Sequence, residues 1–222
     1  MAKYPLLDSA LSEFSTRADR ARQDLFYCDV PTPHVPEKAR RRNMHAASYV
    51  YGAAALERFM TDSLSATVDQ INAAQIPHKD LRLSLFAISC SSHFEALKDL
   101  RGLKKWERRV VVLDHVDNAS HCSLDVSNLP LDGRTIRKKH FDTVWQVFGF
   151  PSSSLPDQRS GLALSNLADS RNDVAHGDED PYVIAGQRSV TDTLRILDRV
   201  EEVVLHLYEQ ANIYLSTQLY LR

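Results

Sequence analysis

Between Leu194 and Leu215 one apolar stripe runs without a break: Leu194, Leu197, Val200, Val203, Val204, Leu207, Tyr208, Ala211 and Leu215. Steps of three and four put these residues on one side of a helix about eight turns long at 3.6 residues per turn. Ser189 and Asp192 supply an S-x-x-D capping signal in front of it. A stripe of this kind is core or dimer interface rather than a cofactor box. The chain must therefore provide other helices to cover it.

The rest of the sequence supplies them. Leu7, Leu11, Phe14 and Ala18 mark a first helix from Leu6 to about Tyr27, and the three prolines of "CDVPTPHVPEK" end it. A long helical pattern follows from Pro36 to about Ala74, with Met44, Ala47, Tyr51, Ala54, Phe59, Leu64, Val68 and Ile71 on its apolar side. At 1.5 Å per residue it would reach about 60 Å, so a kink or break is expected, with Gly52 as the soft point. His78 to about Leu100 reads as helix through Leu83, Phe86, Ala87 and Phe94, and Trp106 to Val112 as a short amphipathic piece. Residues 115–134 are rich in Asn, Asp, Ser, Pro and Gly and read as a loop insertion, long or mobile. Thr135 to Phe148 and about Asp157 to Ala175 return to helix. The fold class is all-α: an antiparallel bundle of about six or seven helices in a single domain over 1–222. Residues 1–30 give its N-terminal helix, and 115–134 its one irregular insertion.

Composition narrows the function classes. Hydrophobic residues make up 43% and charged ones 25% of the 222 residues, the mix of an ordinary globular protein with a sizeable core. Net charge is −2, so any nucleic-acid contact must come from local basic patches. Cys28, Cys90 and Cys122 form no CxxC pair and suit a reduced, cytoplasmic protein. The start of the chain lacks the apolar run of a secretory signal. No window approaches the ~18 apolar residues of a membrane span, so no membrane partner is expected. There is no GxGxxG, P-loop, GxSxG or HExxH. Asp114, His115, Asp117, His121 and Cys122 match no standard zinc spacing, so no metal or cofactor is expected.

One string invites chemistry. "SRNDVAHGDEDP", Ser170 to Pro181, crowds Arg171, Asn172, Asp173 and His176 at the end of an otherwise apolar helix. As an ordinary stop, Gly177 is the C′ residue, Pro181 follows, and Arg171 pairs with Asp169 or Asp173. As a site, a fixed cation, an amide and a titratable imidazole share one short turn. Arginine binds phosphate bidentately, and histidine transfers protons near neutral pH. The helix C-terminus, with its negative dipole end, is a favourable place for a positively charged side chain. The acidic "DEDP" after it reads as a solvated loop that can also tune the charge of His176.

An R-polar-x3-H motif late in the penultimate helix of an all-α domain, with a long final helix behind it, resembles the HEPN superfamily. "RNDVAHG", "AAALERF" on the long early helix and "VWQVFGF" ahead of the motif look most like its RiboL-PSP-HEPN branch. The resemblance covers nearly the whole chain. It implies a metal-independent endoribonuclease of a toxin–antitoxin or anti-phage system, with two copies pairing so that their motifs meet. Carried over, Arg171, His176 and Asn172 are the catalytic residues. Glu57 and Asp173 are accessory, with Glu57 able to pair with Arg171. RNA is the expected partner, beside a homodimer mate and a cognate antitoxin or defence-system protein. Arg41, Arg42, Lys104, Lys105, Lys138 and Lys139, from three basic clusters, are the candidate RNA contacts. Trp106 and His140 can stack on bases, against the alternatives of core packing or plain surface exposure. The rival reading is a non-catalytic HEPN module that binds RNA, nucleotide or a partner protein.

Overall fold

The computed structural model describes residues 3–177 and 179–222, and among these the chain is all-α. The helices are α1 (Pro5–Asp29), α2 (Val35–Ala73), α3 (Phe86–Ser89), α4 (Ser91–Asp99), α5 (Gly102–Val116), α6 (Lys138–Phe148), α7 (Gln158–His176), α8 (Pro181–Ile184) and α9 (Val190–Ser216). Two of them, α3 and α8, have only four residues each. The other seven match the number the periodicity implies. Among the described residues, extended pairing is limited to isolated bridges at Pro77–His121 and Leu81–Leu221.

The long helices form the core. The turn at Val30–His34 folds α1 back along α2, with Phe14 edge-on to Phe59 at 5.8 Å between ring centroids. Helix α9 also runs antiparallel to α1: Tyr208 donates to Asp8, and Arg22 pairs with Asp198 and Glu201. Its N-terminus is capped by the Ser189 hydroxyl, which accepts from the Asp192 amide at 3.1 Å, as the S-x-x-D signal implies. Helix α7 returns along α9, pinned by Asp157–Arg199 at 3.2 Å and by Arg188 to Ser170 and Asn166. The stripe of α9 is buried from Leu197 to Leu215, while Leu194 and Tyr208 sit at its margin.

Several expectations need correction. Helix α2 is continuous over 39 residues, with no break at Gly52. A Cβ at Gly52 would lie 2.7 Å from Leu197 Cδ2, so this glycine lets α9 approach the α2 backbone. The single helix expected over 78–100 is instead two 3-10 turns followed by α3 and α4. Apolar residues three or four apart also suit such turns, so spacing alone did not separate them. Tyr51, Phe94 and Leu162, assigned to apolar faces, are exposed. Helix α6 starts at Lys138 rather than Thr135.

The stretch after α5 is irregular but tied down. His78, Lys79 and Cys122 amides donate to Ser120, Asn118 and Ile76 carbonyls. The Asn72 side chain holds Leu124 twice, accepting from its amide at 2.8 Å and donating to its carbonyl at 2.9 Å. The polar composition of this stretch reflects turns and backbone pairing rather than mobility. No helix among the described residues is long and apolar enough to cross a membrane.

Candidate functional site

Helix α7 delivers the motif. Asp157 caps its start by accepting from the Ser160 amide at 2.8 Å. Buried Ala163, Leu164, Leu167 and Ala168 fix its rotation against the core. Gly177 ends it with φ 69°, a left-handed conformation that suits glycine. His176 is thus the last helical residue and exposed, while Arg171 and Asn172 lie one turn back and are half-buried.

A second segment closes the other wall. Residues 132–137 cross the C-terminal end of α7, and the Thr135 hydroxyl donates to the Asn172 side-chain oxygen at 2.8 Å. The same oxygen accepts from Arg171 Nη1 at 3.3 Å. Arg137 Nη2 meets Asp169 at 2.6 Å. His140 shapes this wall from beneath. It is buried, its Nδ1 accepts from the Arg137 amide at 2.8 Å, and its Nε2 lies 2.9 Å from Asp132. Because Nδ1 accepts, Nε2 carries the proton and donates to the carboxylate. His140 therefore packs as a positioning residue and does not stack on a base.

Between these walls lies a cleft of about 440 Å³, lined by Gly133, Arg134, Thr135, Arg137, Lys139, Arg171, Asn172 and His176. Four of these residues are permanent cations, one is an imidazole and none is a carboxylate. Arg137 is paired with Asp169, and Arg134 and Lys139 lie 3.9 and 3.7 Å from Asp132, so among the described residues the Arg171 guanidinium is the cation of the lining without an acid partner. The N–H donors that converge there suit a polyanion such as a phosphodiester. Although Arg171 and His176 are five residues apart on one helix, they reach the same space: His176 stands at the helix end, and the arginine stem is long.

The remaining candidate residues are dispersed. Glu57, on α2, is half-buried, and its Oε1 has no hydrogen-bond partner. Burial raises its carboxyl above the ordinary range, against the opposing charges of Arg171 and His140. It feels Arg171 but makes no ion pair with it among the described residues, which corrects the expected contact. Asp173 is half-buried and does not line the cleft. Of the six candidate RNA contacts only Lys139 lines it. Lys138 turns to Asp142 at 2.6 Å. Arg41 pairs with Glu37 at 3.0 Å, and Arg42 stacks 4.0 Å over the Tyr182 ring. Those two arginines line a separate cleft of about 310 Å³ between the end of α1 and the start of α2. Lys104 and Lys105 lie on α5, with Lys104 exposed and Lys105 half-buried. Trp106 is exposed on the same helix. Asp178, in the "DEDP" run, lies outside the described residues, and Glu179 accepts from Gln187.

Thr135, Arg134 and Arg137 were not singled out as site residues. Their signal was the basic string "RTIRKKH", but nothing local shows that its first half faces α7 while Lys138 turns away. A family model of MAE_28990-like HEPN domains matches residues 12–220. No curated protein and no solved structure matches the chain.

Proposed function

The chain belongs to the HEPN superfamily, and on that premise we propose that its cationic cleft is the active site of a metal-independent endoribonuclease. The observation that carries this reading is the cleft itself: Arg171, Asn172 and His176 face Arg134, Thr135, Arg137 and Lys139, and no carboxylate lines the space they share.

The chemistry follows from the substrate. RNA carries its own nucleophile, the 2′-OH beside the scissile phosphate. Attack forms the 2′-O–P bond and breaks the P–O5′ bond, leaving a 2′,3′-cyclic phosphate and a 5′-hydroxyl. One proton leaves the 2′-OH and another must reach the 5′ oxygen. His176 takes the first as general base or supplies the second as general acid. Arg171 faces the equatorial oxygens and stabilises the negative charge that builds there. Asn172, held by Thr135, fixes the guanidinium in place. The cleft of one protomer holds one imidazole, and two proton transfers suit two. A symmetric pair of copies with facing motifs would supply the second imidazole. The HEPN resemblance supports a cytoplasmic toxin–antitoxin or anti-phage role, with a cognate antitoxin or defence-system protein as a further partner.

The test is incubation of purified protein with total RNA and tRNA in EDTA, beside His176→Ala and Arg171→Ala. Cleavage by wild type, lost in both variants and leaving cyclic-phosphate ends, is the expected result. RNA binding without turnover would replace the nuclease with the non-catalytic binding module.

A further inference from the structure

Helix α5 is amphipathic with its apolar side turned outward. Leu103, Trp106, Val110 and Leu113 follow one another at steps of three, four and three, the a/d spacing of a coiled-coil seam. They are 81%, 63%, 54% and 68% exposed. The face that touches the rest of the protein is the more polar one. Lys105, Arg108, Val112 and His115 are half-buried there, with the His115 ring 4.9 Å from His78 and 5.1 Å from His93. No residue of α4 or α5 is buried. Single exposed apolar residues are ordinary. A continuous stripe on the order of a few hundred Å² marks an interaction surface.

The flanks of the stripe indicate its occupant. At 100° per residue Arg109 falls on one edge of the stripe, and Glu107 and Asp114 on the other. In a parallel pairing of two such helices, the edge residue before one a position meets the residue five further on in its mate. Arg109 would then face Asp114 of the partner subunit, twice over by symmetry. A lipid surface fits less well, because the exposed Lys104 and Arg109 are balanced by the exposed Glu107 and Asp114, which leaves the outward face without net positive charge, while Lys105 and Arg108 turn inward. The same balance disfavours RNA.

We propose that α5 is a self-association surface, on which a second copy of this chain docks in parallel through Leu103, Trp106, Val110 and Leu113, with Arg109 paired to Asp114 of the partner subunit. The surface shares no residue with the Arg171–His176 cleft, so the inference does not depend on the nuclease reading. Were copies also to pair through that cleft, the two contacts would build an assembly larger than a dimer.

The experiment uses the full chain. Val110→Cys places a thiol opposite its own copy across the seam, within reach of a disulfide under mild oxidation. The expected result is a disulfide-linked dimer for Val110→Cys in a Cys28→Ser background and none for Cys28→Ser alone, because Cys28 is half-buried whereas Cys90 and Cys122 are buried. In sedimentation, Trp106→Glu and Arg109→Glu weaken association by roughly tenfold or more. The double exchange Arg109→Glu with Asp114→Arg restores it. The proposal is overturned if Val110→Cys stays uncrosslinked and Trp106→Glu associates like wild type. It is overturned equally if Trp106→Glu abolishes only binding to anionic vesicles, which would assign α5 to a lipid surface.

Discussion

The Thr135 hydroxyl donates to the Asn172 side-chain oxygen at 2.8 Å, across 37 residues of chain. That oxygen also accepts from Arg171, so one amide joins the crossing segment to the guanidinium. Thr135→Val keeps the shape and removes the donor. RNA cleavage is expected to fall about three- to tenfold, the worth of one positioning hydrogen bond. Thermal unfolding should stay close to wild type, and a collapse of the fold instead would make the bond structural.

Arg171→Lys retains the charge and loses the fork. A lysine ammonium cannot reproduce both the bond to Asn172 and a bidentate hold on phosphate. Turnover should drop by roughly a hundredfold, as on removing one transition-state donor. Affinity for RNA, carried by the other cations of the cleft, should change little. Single-turnover kinetics beside a binding titration separate the two effects.

Glu57→Gln tests the buried carboxyl. Burial raises its folded pKa above the ordinary value of 4.5, so the folded chain holds this proton more tightly than the unfolded chain. The stability it contributes is full in acid and declines as pH climbs from the ordinary value through the raised one. Glutamine does not ionise. The variant should therefore melt higher than wild type at neutral pH, with the gap closing below pH 4.5. A gap that widens in acid would mean that a favourable pairing to Arg171 outweighs burial.

Gly52→Ala sets two effects against each other. The new methyl would stand 2.7 Å from Leu197 Cδ2 inside the packed core. Overpacking costs about 1–3 kcal/mol, and helix propensity returns about 1 kcal/mol. The net expectation is a lower melting temperature, with a smaller loss in a Leu197→Val background. Equal losses in both backgrounds would remove the Leu197 contact as the cause.

The sequence was most readable where local signals agreed. Helix α9 combined an apolar stripe with Ser189 and Asp192 at its start, and α7 combined its stripe with Gly177 at its end. Both ends fell where those residues indicated. Residues 78–100 misled because Leu83, Phe86, Ala87 and Phe94 stand at helical steps, yet of the four only Phe86 is buried and the segment is divided between 3-10 turns and two short helices. Half of the cleft was hidden for another reason. Thr135 and Arg137 join it through contacts 37 and 32 residues distant, which no local period encodes. Periodicity marked Trp106 to Val112 as a short amphipathic piece but missed the reach of α5 from Gly102 to Val116 and the direction of its apolar side, since spacing defines a face without saying what covers it.

The Asn72 clamp on Leu124 bears on how a ligand would be met. By bonding both backbone groups of Leu124, the amide does for an irregular strand of chain what a neighbouring strand does in a sheet. The segment that leads from there to Arg134, Thr135 and Arg137 is thereby anchored to α2. Its disorder is removed when the bundle folds, before any ligand arrives. The cationic wall thus meets its ligand already set, and binding spends little of its free energy on arranging the protein.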